Sequence, residues 1–341
     1  MNHDLVAVGW LRGAALVAFA ALLCALLIVI LRPLLERYAL ARPNARSSHK
    51  TPTPQGGGIA VVASTIATVC IARYFSAAAG LAAGPLVIVF AAAILIACIG
   101  AADDIRSIAV VPRLLLQALA VGLVISALPD ELRVLPFVPW WLERVLLLVG
   151  GVWFVNLVNF MDGLDWMTVV ETVPITATLA VMGALGVLPA TGTIVALALC
   201  GATIGFAYFN RPVARLFLGD VGSLPIGLMV GWLLLLLAAG GHLAAAIVLP
   251  LYYLADATVT LLNRLARGEP IWQAHRSHFY QLATDSGFSV SEVVAYVFVL
   301  NVVLAMLAVL TIRLPTFDLA ALITGAILVA GLLFAFARGK K

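Results

Sequence analysis

The sequence has 341 residues, of which 64% are hydrophobic and only 11% are charged, and its mean hydropathy is +1.13. Because soluble globular proteins carry roughly 25% charged residues, this composition excludes a soluble enzyme and indicates an integral membrane protein. The net charge of +4 gives no indication of a nucleic-acid partner. No polar segment is longer than a loop, so we expect one transmembrane domain over residues 1–341.

Eleven apolar stretches are predicted to be membrane-spanning helices, since a helix needs about 20 apolar residues to cross the hydrocarbon core. The first is too long for the apolar region of a signal peptide, so we expect it to be retained as a span. The expected fold is therefore all-α, a polytopic membrane protein with about 10–11 transmembrane helices. The predicted spans cover residues 11–35, 57–75, 84–101, 112–128, 141–159, 168–188, 191–209, 223–239, 243–263, 290–311 and 318–337.

The Lys and Arg residues are distributed unevenly between the two sides of this predicted bundle. The loops after the first, third, fifth, seventh and ninth spans, with the C-terminus, hold 15 of the 20 basic residues. Cytoplasmic loops carry such an excess, so the N-terminus is predicted to be outside and the C-terminus cytoplasmic. Five polar loops then share the cytoplasmic face, where we expect them to form the active site: residues 36–57, 100–113, 156–167, 210–223 and 264–289.

The acidic residues expected at the site lie in three of these loops, residues 100–113, 156–167 and 210–223. Asp103 and Asp104 are adjacent at the end of a predicted span, and such carboxylates repel each other unless a cation or a proton intervenes. Taken alone, this pair is also compatible with a solvated helix end. Asp220 has Gly219 and Gly222 beside it, which allow tight backbone turns and leave amide groups free to meet an anion.

The segment "NLVNFMDGLDWM" carries Asn156, Asn159, Asp162 and Asp165 at intervals of three residues. Because an α-helix has 3.6 residues per turn, this spacing keeps to one face only if the helix tightens or ends. Gly163 favours an end, which would direct the last three of these side chains toward a common point. The alternative is a polar helix end that meets lipid headgroups.

Basic side chains accompany the acidic ones. Arg113 begins the fourth predicted span, and His275, Arg276 and His278 lie in the last loop. Mg²⁺ and Mn²⁺ prefer carboxylate oxygens and usually keep phosphate ligands. Carboxylates, a divalent cation, Arg and His together predict a site for a pyrophosphate, where charge must be neutralised during displacement.

Five loop motifs follow one another along the chain: "NARSSHKTPTPQGGG", "GAADDIRS", "NLVNFMDGLD", "FLGDVGS" and "HRSHFYQ". Each motif alone is weakly specific, but the ordered set resembles the polyprenyl-phosphate N-acetylhexosamine-1-phosphate transferases, of glycosyltransferase family 4 type. The resemblance covers nearly the whole chain. "RSSH", "PTPQGGG" and "HRSHFYQ" are more similar to the branch that initiates O-antigen and capsule lipids than to the peptidoglycan branch.

The resemblance implies an enzyme that moves N-acetylhexosamine 1-phosphate from a UDP-sugar to undecaprenyl phosphate and releases UMP. Such an enzyme is a glycosyl-1-phosphate transferase that starts a cell-envelope polysaccharide, here O-antigen or lipopolysaccharide. It implies Mg²⁺ as cofactor, with Mn²⁺ as an alternative. It also implies a multi-pass protein of the bacterial inner membrane, with the active site on the cytoplasmic face, and a homodimer.

The resemblance further implies roles for individual residues. Asp220 and Asn159 are expected to hold the metal ion, and Asp103 is expected beside the attacking lipid phosphate. Phe217 is expected to stack on uracil, with Asp165 hydrogen-bonded to it. The expected catalytic residues are Asp103, Asp104, Asp162 and His278, and the expected substrate-binding residues are Arg113, Asp165, Phe217, His275, Arg276 and His49.

Three positions depart from the family pattern. Arg113 stands where the family has a Lys, which keeps the charge but changes the hydrogen-bond geometry. Ser107 stands where a further Asp or Asn often follows the Asp pair. Trp166 stands where Gly is common after the last Asp of "NLVNFMDGLD", a change expected to alter the sugar or nucleotide pocket.

Two other functions fit part of the pattern. A Mg²⁺-dependent membrane prenyltransferase would carry two DxxxD-type motifs, whereas this chain has one DD pair, one Asn/Asp run and one GD. A transporter would carry its charges near mid-membrane at broken helices, whereas here nearly all lie toward one face. The sequence leaves open the hexosamine, a one-step or two-step transfer through Asp103, and whether Asp256 pairs with Arg264 or faces the site.

Overall fold

A computed structural model describes residues 3–41, 52–75, 84–270 and 275–340, with side chains from Gly9 onward. His49 lies outside the described residues. The helices are α1 His3–Tyr38, α2 Gly57–Phe75, α3 Gly84–Ile105, α4 Val110–Ser126, α5 Trp140–Met161, α6 Met167–Ala184, α7 Ala190–Ala207, α8 Asp220–Ala239, α9 Leu243–Val248, α10 Leu251–Ala266, α11 Phe279–Asp285, α12 Val290–Arg313 and α13 Asp318–Arg338. Two short antiparallel strands, β1 Leu40–Ala41 and β2 Thr53–Pro54, precede α2.

The described part of the chain confirms an all-α polytopic membrane protein. Nine of its helices are long and apolar enough to cross a membrane, and α4, with 17 residues, is a shorter apolar helix. Ten of the eleven predicted spans correspond to one helix each. The predicted tight connection between the sixth and seventh spans is also present, because α6 ends at Ala184 and α7 begins at Ala190.

The ninth predicted span differs from the expectation. Instead of one helix over 243–263, the chain forms α9 and α10, which are separated by Leu249 and Pro250. Proline has no backbone N–H to donate and its ring clashes with the preceding turn, which favours a break here, although Pro33, Pro174 and Pro225 lie within continuous helices. The break sets the direction of α10, which carries Asp256 toward the polar end of the bundle.

Helix α8 lies at the centre of the bundle, and 15 of its 20 residues are buried. It approaches α2 and α3 at glycines: a Cβ on Gly58 would lie 2.1 Å from Gly222 Cα, and one on Gly100 would lie 2.3 Å from the Asp220 carbonyl oxygen. The glycines of the "GGG" and "GDVGS" runs therefore allow two helix backbones to touch. This contact places the first turn of α8 beside the ends of α2 and α3.

The described parts of the predicted polar loops meet at one end of the bundle. Hydrogen bonds join the C-terminal end of α3 to the start of α8, the C-terminal end of α5 to the same start, and α11 to the end of α5. Asn156, in contrast, faces away from this meeting point. Its Nδ2 donates to Gln117 Oε1 on α4 at 2.7 Å, so it forms a buried pair between two helices.

Candidate active site

The first turn of α8 is capped by a carboxylate from a distant part of the chain. Asp104 Oδ1 accepts from Asp220 N at 3.1 Å, and Asp104 Oδ2 accepts from Val221 N at 3.2 Å. The first amides of a helix have no partner within it, and the positive end of the helix dipole favours a negative charge there. Asp104 therefore fixes where α8 begins, in addition to any part it has in catalysis.

The end of α5 meets the same turn. Asn159 Nδ2 donates to Asp220 Oδ1 at 2.7 Å and to Ser223 Oγ at 2.9 Å. As expected, α5 ends just before Gly163, so Asn159 lies in its last turn and Asp162 immediately follows it. Three elements that are far apart in sequence thus bring Asp104, Asn159 and Asp220 together.

Asp103, the neighbour of Asp104, points to α4 instead. Its Oδ1 accepts from Ile108 N at 2.5 Å, and its Oδ2 accepts from Arg113 Nη1 at 2.7 Å. The Asp103 side chain is 8% exposed and that of Arg113 is 23% exposed, so the ion pair borders the solvent. A guanidinium held in this way offers its remaining N–H groups to an anion.

The carboxylates of Asp103, Asp104, Asp162 and Asp220, called here the carboxylate cluster, repel one another. Burial, together with the charges of Asp220, Asp104 and Asp165, raises the pKa of Asp162 to about 8, although a hydrogen bond from Thr168 opposes the shift. Asp162 therefore binds a proton near neutral pH unless a cation offsets the neighbouring charges.

The carboxylate cluster fits a divalent cation by the chemistry of its donors. Among the described residues, no group of three or more His, Cys, Asp or Glu side chains is arranged as a ready-made metal cage. Mg²⁺ does not need one, because it typically binds one or two carboxylates together with water and substrate phosphates. Asp220 has carboxylate oxygens of this type in the first turn of α8, and Asn159, whose amide group also carries an oxygen, contacts one of them through its nitrogen.

The loop before α8 is attached to the segment between α5 and α6. Asp165 Oδ2 accepts from Ala214 N at 2.9 Å, so at least one oxygen of this predicted uracil partner holds the loop. Trp166 N donates to Asn210 Oδ1 at 2.8 Å, and its indole Nε1 donates to the Ala207 carbonyl at 2.7 Å. Asp165 and Trp166, which are consecutive in sequence, therefore hold the loop before α8 in position.

Trp166 adopts a backbone conformation that favours glycine. Its φ is 64°, and among the described residues it is the one non-glycine residue with a positive φ. A left-handed conformation costs an L-residue roughly 1–2 kcal/mol. The indole hydrogen bond and the backbone bond to Asn210 offset this cost, which explains how the chain accepts Trp at a position where the family pattern has Gly.

We expect Trp166→Phe to lower the unfolding temperature by about 2–4 °C, because loss of one hydrogen bond removes roughly 1 kcal/mol. Thermal unfolding in detergent, followed by intrinsic fluorescence, measures the shift. Trp141→Phe is the matched control, since Trp141 is 63% exposed on α5. Equal unfolding temperatures for Trp166→Phe and the parent protein would show that the indole bond does not hold this loop.

Phe217 is positioned by backbone pairing. Phe217 N donates to the Pro54 carbonyl, and Gly57 N donates to the Phe217 carbonyl, each at 2.9 Å. This short pairing brings the backbone of Phe217, a half-buried residue, next to Gln55, whose Nε2 donates to the Asp104 carbonyl at 3.2 Å. Phe217 therefore lies near the carboxylate cluster, and its expected contact with uracil stays a prediction.

The last predicted loop reaches the end of α5 through aromatic side chains. Tyr280, fully buried, donates its hydroxyl to the Phe160 carbonyl at 2.9 Å. The His278 ring lies between His275, with ring centroids 4.8 Å apart, and Tyr280, at 5.7 Å. Arg276 pairs with Asp285 at 2.9 Å, so this predicted substrate contact has an acidic partner on α11.

Asp256 is a site residue that the sequence left undecided. Arg264 pairs with Glu269 at 2.8 Å, while Asp256 turns to His278, with 3.2 Å between Oδ1 and Nδ1. The available signal was an Asp within an apolar stretch, with Tyr252 and Thr260 one helical turn away on either side. That spacing predicts a shared face but does not identify the distant partner.

A model of glycosyl transferase family 4 matches residues 86–238, a range that includes the carboxylate cluster and Asn159 but not the His-containing loop. Over 299 residues the chain is 26% identical to the "Probable undecaprenyl-phosphate N-acetylglucosaminyl 1-phosphate transferase" of Bacillus subtilis, covering 83% of this chain and 82% of that protein. It is 26% identical over 337 residues to the "Decaprenyl-phosphate N-acetylglucosaminephosphotransferase" of Mycobacterium tuberculosis, covering 86% and 80%.

A third relative matches a shorter part of the chain. The "Phospho-N-acetylmuramoyl-pentapeptide-transferase" of Granulibacter bethesdensis is 33% identical over 127 residues, which cover 33% of this chain and 34% of that protein. The first two similarities extend over most of both chains, and all three relatives are named as transferases of phosphorylated sugars. The comparisons therefore favour this chemistry over a prenyltransferase or a transporter.

Proposed function

Because the chain belongs to glycosyl transferase family 4 and is a phospho-sugar transferase, we propose that it transfers N-acetylhexosamine 1-phosphate from a UDP-sugar to undecaprenyl phosphate and releases UMP. The observation that carries the proposal is the meeting of Asp104, Asn159 and Asp220 at the start of α8. Two relatives that match most of the chain are named for N-acetylglucosamine transfer, which makes UDP-GlcNAc the first donor to test.

In the proposed reaction, an oxygen of the lipid phosphate attacks the β-phosphorus of the UDP-sugar. A new P–O bond forms to the lipid phosphate while the bond from the β-phosphorus to the UMP oxygen breaks, and UMP leaves with its electron pair. The lipid phosphate is already ionised near neutral pH, so no strong general base is needed and we favour a single step. Arg113, held by Asp103, is proposed to bind the lipid phosphate.

Asp220 and Asn159 are proposed to hold Mg²⁺, which would neutralise the charge that develops on the departing UMP. Phe217 and Asp165 are proposed to bind the uracil, and His275, Arg276 and His278 the pyrophosphate and sugar. The proximity of Tyr280 and Phe160 supports this assignment, since it joins the His-containing loop to the end of α5. Asp162, crowded by other carboxylates, is proposed to become ionised only when the cation is bound.

The excess of Lys and Arg at the polar end of the bundle supports a cytoplasmic active site in the bacterial inner membrane. The nucleotide sugar is a cytosolic type of substrate, which agrees with this orientation. The product would be the first lipid-linked sugar of a cell-envelope polysaccharide, and the loop motifs favour O-antigen or lipopolysaccharide synthesis. A homodimer is proposed by resemblance.

The decisive experiment is UMP release by the purified protein in detergent with undecaprenyl phosphate and a panel of UDP-sugars. We expect release with an N-acetylhexosamine donor and none when the lipid phosphate is omitted. The lipid product should carry both phosphates and the sugar by mass spectrometry. Absence of UMP with every donor, from protein that is folded by thermal unfolding, would refute the proposed function.

Removal of divalent cations is expected to reduce UMP release to background, because the carboxylate cluster then lacks the charge that the departing UMP requires. The measurement compares protein dialysed against EDTA with the same protein after addition of Mg²⁺, Mn²⁺ or, as control, Na⁺ at equal ionic strength. Recovery is expected with Mg²⁺ and Mn²⁺ only. Full activity in EDTA would refute the metal assignment while leaving the transfer reaction intact.

A further inference from the structure

Asp256, near the middle of α10, accepts hydrogen bonds from two backbone amides and two hydroxyl groups. It is 0% exposed. Its Oδ1 accepts from Phe279 N at 3.1 Å and lies 3.2 Å from His278 Nδ1, while its Oδ2 accepts from Tyr280 N at 3.2 Å. The hydroxyl groups of Tyr252 and Thr260 donate to the same carboxylate at 3.2 and 3.3 Å.

This arrangement determines which nitrogen of His278 carries the proton. A carboxylate that accepts from two backbone amides and two hydroxyl groups has only acceptor atoms to offer. The imidazole nitrogen 3.2 Å away must therefore be the donor, and in a neutral ring the other nitrogen is then an acceptor. The two backbone amides belong to the first turn of α11, so Asp256 also caps the helix that follows His278.

The His278 ring has little freedom to turn away from Asp256. The residue is 2% exposed, and His275 and Tyr280 stack close to it. The ring contacts the carboxylate through Nδ1, and the capping box of α11 also brings the Gln281 backbone N–H to the His278 side chain. Nε2 is therefore the ring nitrogen that Asp256 leaves available.

We propose that Asp256 is a positioning residue: it holds His278 as the Nδ1–H tautomer, so that Nε2 is the nitrogen that meets the phosphorylated sugar donor. The inference rests on the proposed function for the role of His278, but the tautomer itself does not depend on any substrate. Asp256 acts through His278 and does not touch the substrate.

Nitrogen-15 NMR of histidine-labelled protein in detergent tests the tautomer directly. The chain has five histidines, and His278→Asn identifies the signal of interest. We expect His278 to be protonated at Nδ1 in the wild-type protein without substrate. A His278 protonated at Nε2 would overturn the proposal, and this result does not depend on whether the protein releases UMP.

A double-mutant cycle tests the functional link. Asp256→Asn and His278→Asn are each expected to lower kcat/KM for UMP release by about 10- to 100-fold, a range typical of groups that orient a functional side chain. Because Asp256 acts through His278, we expect kcat/KM of the double variant to equal that of the less active single variant. Losses that multiply would overturn the proposal.

Thr260→Val is the matched control, because it removes one donor to Asp256 without altering its contact with His278. We expect its kcat/KM to stay within about threefold of the wild-type value. If Asp256→Asn does not accumulate as folded protein, the wild-type NMR assignment still decides the tautomer. An inactive wild-type protein with the expected tautomer would refute the proposed function and the role given to Nε2, while the tautomer held by Asp256 would stand.

Discussion

Asp220→Asn is expected to lower UMP release by about 10³-fold while the protein stays folded. Asparagine keeps the shape of the side chain and an oxygen that can accept from Asn159, so the junction of α5 and α8 is preserved. What it loses is the negative charge that we propose binds the metal ion. Several kcal/mol of transition-state stabilisation are attributed to such an ion, and each 1.36 kcal/mol corresponds to tenfold in rate.

The same substitution is expected to raise the unfolding temperature of the metal-free protein. Asp104 and Asp103 place like charges near Asp220, and removal of one charge relieves that repulsion. Addition of Mg²⁺ should stabilise the parent protein against heat, because a ligand that binds the folded state shifts unfolding to higher temperature. The variant should show no such stabilisation.

Kinetics of UMP release and thermal unfolding with and without Mg²⁺ measure both effects. Ser223→Ala is the control at the same helix end, since Ser223 accepts from Asn159 but carries no charge. We expect the rate of UMP release by Ser223→Ala to stay within about tenfold of the parent rate, because loss of one neutral hydrogen bond costs roughly 1 kcal/mol. Turnover by Asp220→Asn within tenfold of the parent would remove Asp220 from the metal site.

Gly58→Ala is expected to destabilise the protein by about 3 kcal/mol, the upper end of the usual range for overpacking. The added methyl group would lie 2.1 Å from Gly222 Cα and 2.4 Å from Gly222 N, so α2 and α8 must separate. Backbone atoms cannot change rotamer to make room. Since α8 presents Asp220 in its first turn, we also expect loss of UMP release.

Gly150→Ala in α5 is the matched control, because a Cβ on Gly150 would have no heavy atom within 4 Å. There the greater helix propensity of alanine is expected to leave stability unchanged or raise it by about 0.5–1 kcal/mol. Thermal unfolding midpoints of both variants in the same detergent provide the comparison. If Gly58→Ala unfolded at the temperature of Gly150→Ala, the close contact of α2 and α8 would be wrong.

Hydropathy alone identified the membrane class, and ten of its eleven predicted spans correspond to one helix each. This works because every backbone N–H and C=O group within the bilayer must form a hydrogen bond inside the protein. In an apolar stretch of about 20 residues, an α-helix forms all of these bonds within the segment itself. The exception is the broken pair α9 and α10, where Pro250 lies inside an apolar stretch. The mean hydropathy of this stretch does not indicate the break, although Pro250 could have been used to predict it.

The sequence also determined which loops carry chemically useful residues, since carboxylates, amides and histidines rarely occur within an apolar chain without a purpose. It did not determine their partners. Asp104 caps a helix that begins 116 residues later, Arg276 turns to Asp285, and Asp165 holds the loop at Ala214. Such pairs depend on which helix ends the packing brings together.

What the sequence by itself determined about this protein is a membrane-embedded helical chain with its polar chemistry gathered in a few loops, because burial of apolar residues follows from local composition. Only the tertiary structure decided that Asn159 bonds Asp220 and that Asp256 holds His278. The physical reason is that hydrogen bonds are short and directional. They become specific only after glycine contacts and a helix break have set the positions of the backbone.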